Sequence, residues 1–281
     1  MKPIVKKIIF FFISLFIFLL LVFLYSYFFG TKGFKVKEYK IVNNNFPSEF
    51  YGLKIIHLSD VHYGKHFDKE RLEQVVNKIN ELNPDIVVLT GDLIDEELND
   101  EQINELKDLL SKINVRTRKY AISGNHDDYQ YFEFIINDSG FTILNDSYDI
   151  IYGKDSKIMI SGVSSNILNK ADINEKLETS TNYIQNNNVD YKILLIHEPD
   201  YISNIKGISY DLILSGHSHD GQIRFPFLGA LYTPVGSKKY YKNHYSLETS
   251  ELFVSSGLGT SIIHARLFNK PSINFYRLVN K

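Results

Sequence analysis

Five short apolar runs in this chain each give way, within a few residues, to aspartate, asparagine or histidine, and this alternation constrains the fold more than any other feature. The runs cover residues 54–58, 86–90, 119–123, 192–196 and 212–214. Behind them come Asp60 and His62, Asp92 and Asp95, Asn125, His126 and Asp127, His197, then His217 and His219. Runs this short and this uniformly apolar predict strands buried on both faces. Amphipathic stretches at 68–82 and 101–113 separate the first three, with apolar residues at helical spacing and Asp68 placed to cap the first helix. Two more strands are expected at 252–255 and 273–278. Strand, loop and helix in this rotation predict one α/β unit from residue 35 to 281, with no linker dividing it. In such a sheet ligands bind beyond the carboxyl ends of the strands, so polar residues that follow successive strands converge on one crevice.

Taken one at a time these fragments say little, because a lone histidine is usually structural and Gly-Asp after a strand is commonly a turn. Five in order, each rich in metal ligands, are hard to explain as turns alone. Carboxylate and imidazole together suit manganese, iron or zinc, and the chain has no cysteine to offer a thiolate. Two such ions about 4 Å apart share a carboxylate and a hydroxide, which lowers the pKa of the water and aligns it for attack on phosphorus. The expected cofactor is therefore a pair of divalent cations, and the expected reaction is hydrolysis of a phosphate ester or anhydride. A formal net charge of -2 gives no global basic field, which argues against nucleic acid as a partner.

The amino-terminal segment is of a different kind. Residues 8–29 are almost wholly apolar, and as a helix they would reach about 33 Å, enough to cross a hydrocarbon core of about 30 Å. A cleavable signal would be shorter and end in small residues, and the first alanine is Ala121. The chain is thus expected to divide into a tail at 1–7, a transmembrane anchor at 8–29, a linker and first strand at 30–48, and the main domain at 49–281. Lys2, Lys6 and Lys7 precede the apolar stretch, and Lys32, Lys35, Lys37 and Lys40 follow it. Lys6 and Lys7 abut the span and the free amino group adds charge. Together they favour an amino terminus inside and a domain outside the cell membrane, with Tyr25 and Tyr27 near the outer interface.

In the order Asp60-x-His62, Gly91-Asp92, Gly124-Asn125-His126-Asp127, His197 and Gly216-His217-x-His219, the chain resembles the calcineurin-like metallophosphoesterases over nearly everything after residue 50. The resemblance implies an α/β fold, a four-layer αββα sandwich of two mixed β-sheets with helices outside. It implies Asp60, His62, Asp92 and His219 on one ion and Asp92, Asn125, His197 and His217 on the other, with Asp92 as the bridge. His126 is similar to the family's extra histidine, which stands near the leaving-group oxygen as a proton or hydrogen-bond donor. Asp95 is expected either to orient that histidine or to be a solvated acid at a helix entry. Arg266 is a candidate for binding substrate phosphate, with packing as the alternative.

The segments 52–55, 59–62, 216–223 and 257–261, with Arg266, are similar to those of a membrane-attached bacterial branch of the family. Some members of that branch cleave the pyrophosphate of UDP-2,3-diacylglucosamine, and others act on cell-envelope or phospholipid phosphates. A domain held at the bilayer meets lipid-linked esters at high local concentration, so a lipid-linked phosphodiester or pyrophosphate is the expected substrate. Asp220 stands where a glycine is more usual, and Ser218 where threonine is common; Asp220 is expected to alter what approaches the ions. The apolar stretch 225–232 either packs into the core or forms a lip that admits lipid tails. The competing functions are a metal-dependent phosphate binder without turnover and a nuclease. A complete ligand set argues against the first, and the lack of a basic track against the second.

Overall fold

A computed structural model of the chain describes residues 3–127, 129–165, 167 and 171–280. Met1 and Lys2 of the expected tail lie outside the described residues. Helix α1 (Pro3–Tyr25) runs on through a π turn, Ser26–Gly30, as one apolar rod of 28 residues whose side chains are unburied as far as Tyr25. Proline in a first turn has no amide for the helix to leave unpaired, which lets the helix begin before the expected residue 8.

The first sheet takes β1 (Lys35–Val42), β2 (Leu53–Leu58), β3 (Ile86–Thr90), β4 (Arg118–Ile122) and β5 (Thr142–Ile143). Helices α2 (Lys69–Leu82), α3 (Asp100–Ser111) and α4 (Tyr129–Asp138) connect the last four of these strands. The second sheet takes β6 (Ser147–Tyr152), β7 (Lys157–Val163), β8 (Tyr191–Ile196) and β9 (Leu212–Ser215). Helices α5 (Ile173–Lys176) and α6 (Glu178–Asn186) cross between β7 and β8. A two-stranded hairpin, β10 (Arg224–Phe225) and β11 (Gly229–Ala230), then stands apart from both sheets. The second sheet is completed by β12 (His244–Ser246) and β13 (Glu251–Val254), and β14 (Ser272–Val279) returns to the first.

The orders are β1-β14-β2-β3-β4-β5 and β12-β13-β9-β8-β7-β6. In the first sheet β2 through β5 run parallel, with β14 antiparallel to β2. In the second, β7, β8, β9 and β13 run parallel between antiparallel edges.

Side-chain alternation along these strands makes three apolar layers. Ile56, Leu58, Val87 and Leu89 face outward beneath α2, α3 and α4. Their neighbours Ile55, Ile86 and Val88 face inward against Ile193, Leu195, Leu212 and Leu214 of the second sheet. Leu194, Ile196 and Ile213 then meet Ile173 and Leu177 on the far side. Each central strand is thus buried on both faces, which is why it reads as an unbroken apolar run, and the expected four-layer sandwich is the fold observed. The cap at Asp68 is present, accepting from the Arg71 amide at 3.0 Å, and Asn99 with Gln102 closes a capping box on α3. Strands β5, β6, β7 and β12 and helices α4 to α6 are not among the elements expected from sequence; β5 and β12 are too short, and β6 too evenly half-buried, to show a period.

Candidate metal centre

The residues singled out by sequence all lie at one end of the sandwich, where β2, β3, β4, β8 and β9 finish. The chain turns there through unusual backbone: Asp60, His62, Asp92, His217 and His219 all have positive φ, between 48° and 67°. Residues with a Cβ rarely adopt this region, and such strain is held where surrounding bonds over-determine it. The bonds are present. The amides of Asp60 and His62 donate to the carbonyls of Gly91 and Asp92, both at 3.0 Å, and the His217 amide donates to Asp60 Oδ1 at 2.9 Å. The loops also approach too closely for side chains, since a Cβ on Gly91 would lie 2.5 Å from Gly124 backbone and 2.8 Å from His197 Nδ1.

Asp127, given no metal or catalytic role from sequence, ties two of these loops together. Fully buried, its carboxylate accepts from the amides of Asp92 (2.9 Å), Leu93 (2.8 Å), Ile94 (3.3 Å) and Gly124 (2.7 Å). Its position directly after the Asn125-His126 pair is the sequence signal for it. Burial, reinforced by the nearby Asp92 charge, pushes its carboxyl up to about 6 despite the amides.

Two buried groups of side chains face each other across the loops, Asp60 with His62 and His219, and Asp92 with His197 and His217. Their donor atoms within each group lie within 4.8 Å of one another. Asp92 Oδ2 is 3.7 Å from His62 Nε2 and 3.3 Å from His197 Nε2, so one oxygen reaches both groups. His219 Nε2 is 3.5 Å from Asp60 Oδ1 and 3.2 Å from His62 Nε2. Two ring nitrogens that close repel unless a proton or a cation lies between them.

The outward nitrogen of three of the four rings is fixed from behind. His197 Nδ1 donates to the Thr90 carbonyl at 2.7 Å, His217 Nε2 donates to the Val235 carbonyl at 2.7 Å, and His62 Nδ1 meets Asp95 Oδ1 at 3.0 Å. Each bond sets the tautomer and leaves the other nitrogen bare toward the centre. Asp60 Oδ2, Asn125 Oδ1 and His197 Nε2 are buried with no hydrogen-bond partner. Orphaned acceptors of this kind call for a cation, and the residues present therefore fit a bound metal pair.

Electrostatics agree with a site built for positive charge. Burial opposes ionisation of Asp92, but positive charge on His197 and His62 outweighs it and holds the carboxyl well below its ordinary range. Burial pushes Asp60 up, with the Asp92 charge adding to it. Two carboxylates at different potentials and imidazoles on both sides are what a pair of dications would relieve.

Two expected roles change, and a third is refined. Asp95 is hydrogen-bonded to His62, so it braces a ring of the first group, and its carboxylate also lies within 4.8 Å of a ring nitrogen of His126. Arg266 is wholly buried, donating to the carbonyls of Ser256 at 2.7 Å and Gly259 at 2.6 Å and reaching His219 Nδ1 at 3.3 Å; it supports the loop from behind and presents no surface to a substrate. Asp220 is buried against Lys37 and Arg224, so it guards no approach. His126 alone among the group is exposed, its ring edge-on to His62 with centroids 5.1 Å apart, and its amide donates to Asp92 Oδ1 at 2.9 Å.

The centre opens into a cleft of about 740 Å³ whose floor is Asp92, Asn125, His126, His217 and His219. Its walls are apolar, with Ile223, Leu231, Tyr232, Val235, Ile262 and Ile263 among them. Stretch 225–232 is therefore at the surface and not in the core: Phe227, Leu228, Leu231 and Tyr232 are all exposed.

Comparison with known proteins bears on this geometry. Residues 53–221 match the family described as calcineurin-like phosphoesterase. The chain is 33% identical over 246 residues to the metallophosphoesterase YkuE of Bacillus subtilis (strain 168), covering 86% of this chain and 84% of that one. It is 26% identical over 260 residues to YkoQ of the same organism, covering 88% and 92%. Phosphodiesterase YaeI of Escherichia coli (strain K12) is 24% identical over 234 residues, covering 80% and 82%.

Proposed function

This chain belongs to the calcineurin-like phosphoesterase family and is a metal-dependent phosphoester hydrolase, and we propose that it is a membrane-anchored, dinuclear enzyme acting on a lipid-linked phosphodiester or pyrophosphate. Asp60, His62, Asp92 and His219 would hold one cation, and Asp92, Asn125, His197 and His217 the other. When bound, two ions of the manganese, iron or zinc kind supply an activated water and positive charge to meet the phosphate. The observation that carries this reading is the reach of Asp92 Oδ2 to a histidine of each group, at 3.7 and 3.3 Å.

The chain's own residues do the rest. Asp127 fixes the loops of Asp92 and Asn125 by its four amide bonds, and Asp95, the Thr90 carbonyl and the Val235 carbonyl fix His62, His197 and His217. His126, exposed on the cleft floor, holds a proton or hydrogen bond for the departing oxygen. Helix α1 and its π turn form a rod of about 42 Å, long enough to cross a bilayer with tilt, and the lysines at 6 and 7 favour a domain on the outer side. The cleft's apolar walls suit acyl chains beside a phosphate.

A substrate panel tests this. Full-length, manganese-loaded protein in detergent is given a monoester, a soluble diester, a phospholipid and a nucleotide-linked lipid, with metal content measured in parallel. The expected result is two ions per chain and preference for a lipid-bearing diester or pyrophosphate. Turnover of monoesters alone, or with one ion, would overturn it.

A further inference from the structure

The apolar walls of the cleft end in two loops whose tips point into solvent. Loop 225–235 carries Phe227 and Leu228, the latter 84% exposed, and loop 261–268 carries Ile262, 80% exposed, with Ile263 and Phe268 beside it. Three of these residues, Phe227, Ile262 and Phe268, have positive φ, at 68°, 64° and 54°. Glycine or asparagine would take that backbone at little cost, and a β-branched residue such as isoleucine is among the worst fitted to it. Large apolar side chains held outward on strained backbone, with no packing partner among the described residues to account for them, indicate a surface that meets something apolar.

What it meets is indicated by the neighbouring segment. The carboxyl end of the α1 rod is joined to loop 261–268: the Arg266 amide donates to the Ser26 carbonyl at 3.0 Å, and the rings of Tyr27 and His264 stand edge-on at 5.1 Å. Lys270 Nζ reaches the Phe29 carbonyl at 2.6 Å, and a Cβ on Gly30 would collide with the Arg266 carbonyl at 1.8 Å. The helix end and the cleft wall are therefore one packed unit, not two bodies on a flexible tether. If α1 spans a bilayer, the loop beside it lies at the bilayer surface. Cations border the apolar tips as they do on proteins that sit among anionic headgroups: Lys242 shares a recess with Phe227 and Phe268, and Lys238 lies 4.9 Å from the ring of Tyr232.

We propose that loops 225–235 and 261–268 form a second membrane contact, a docking face of apolar tips and bordering lysines that seats the mouth of the cleft on the phospholipid surface. It rests on the reading of α1 as a membrane anchor. The cleft then opens toward the lipid, and a substrate enters with its phosphate at headgroup depth and its acyl chains still in the bilayer.

The chain contains no tryptophan, so one introduced indole reports on one position. Four full-length variants are reconstituted into phosphatidylcholine–phosphatidylglycerol vesicles carrying a lipid with a spin label high on the acyl chain. Phe227→Trp and Phe268→Trp probe the two tips, Phe16→Trp probes α1, and Tyr152→Trp is the reference. Tyr152 is exposed at the start-of-strand end of the second sheet, paired with Lys157, and so lies at the end remote from the cleft. The expected result is quenching of the two tip variants by about twofold or more over the reference, alongside quenching of Phe16→Trp. Quenching of Phe16→Trp with both tips equal to the reference would overturn the docking face and leave the anchor standing, with a protein partner as the remaining occupant. No quenching at any position would overturn the anchor and the docking face together.

Discussion

In and just beneath the floor of the cleft, Asp60, His62, Asp92, His217 and His219 hold left-handed backbone while buried and hydrogen-bonded from behind; on the rim, Phe227, Ile262 and Phe268 hold the same kind of backbone with their side chains in solvent. The floor's strain is over-determined by the folded protein: Asp60 is locked to Gly91, His62 to Asp92, and the Asp92 loop to Asp127. The rim's exposed side chains have no such return among the described residues. The first kind of strain orders ligands in advance of their cations, and the second marks a surface whose partner lies outside the chain. Substitutions at the two places should therefore fail in different ways.

The largest effect is expected on the floor. Asp92→Asn replaces the one carboxylate that reaches both groups by a neutral amide, and turnover should fall on the order of 10³-fold or more on every substrate, with loss of bound metal. Two tightly held ions and ordinary rates in this variant would remove Asp92 from the bridging position. His126→Ala should separate chemistry from metal binding. With an alkoxide leaving group the rate should drop about a hundredfold, whereas a nitrophenolate, which departs unaided, should lose little, and metal content should not change. Equal losses on both substrates with depleted metal would make His126 a ligand.

The floor was legible in the sequence and the rim was not, for a physical reason. Asp60, Asp92, His197 and their partners follow strands that are apolar on both faces, so fold and site announce each other in the same few residues. What sequence missed on the floor lay one step back from the ions. Asp127 looks like any helix cap, Asp95 gives no sign of which histidine it touches, and Arg266 is a buried cation, which composition rarely anticipates. At the rim, stretch 225–232 was ambiguous because apolar residues in a core and in a membrane contact look alike until exposure is known. The edge strands β6 and β12 were hidden because half-buried, polar-studded strands carry little period.

Beneath the floor lies a group that should make the fold acid-labile where the rim cannot. His57, between Thr90 Oγ1 at 2.8 Å and the Tyr276 hydroxyl at 3.3 Å, is pushed down to about 3 by burial. Folded chains keep it neutral while unfolded chains protonate it below its ordinary value, so the unfolded state binds the extra proton and stability falls as pH drops from about 6.5 toward 3. At pH 4.5 the loss attributable to this residue should be about 2–3 kcal/mol. Denaturation of the detergent-solubilised chain at pH 7 and 4.5, compared with His57→Gln, measures it. An equal acid sensitivity in both would show that other groups carry it.

On the rim, Leu228→Ser should cut turnover of a bilayer-embedded substrate by about tenfold, the order of effect expected from one apolar side chain withheld from lipid, and leave a small soluble diester unaffected. Parallel losses on both would mean that the tip packs against the protein and that the contrast with the floor is false.

The smallest effect discriminates best, because its sign is opposite in the two regions. At Ile262 the left-handed backbone costs about 1–2 kcal/mol for a residue with a Cβ, and glycine would remove that cost while adding about 0.5–1 kcal/mol of unfolded-state entropy. Ile262 gives up few contacts on truncation, since most of its surface is already in solvent. Ile262→Gly should therefore leave the detergent-solubilised protein slightly more stable, by about 0.5–1 kcal/mol, while weakening its action on membrane-held substrate. His219→Gly relieves the same kind of backbone on the floor, yet it deletes a ring that Asp60 and His62 face at 3.5 and 3.2 Å, and it should lose metal and activity together. A chain made more stable by glycine at 262 and less active on lipid would show that isoleucine is kept there at the expense of the fold for contact with the bilayer. If the variant is instead destabilised, the side chain has a partner within the protein, and the rim is an extension of the core.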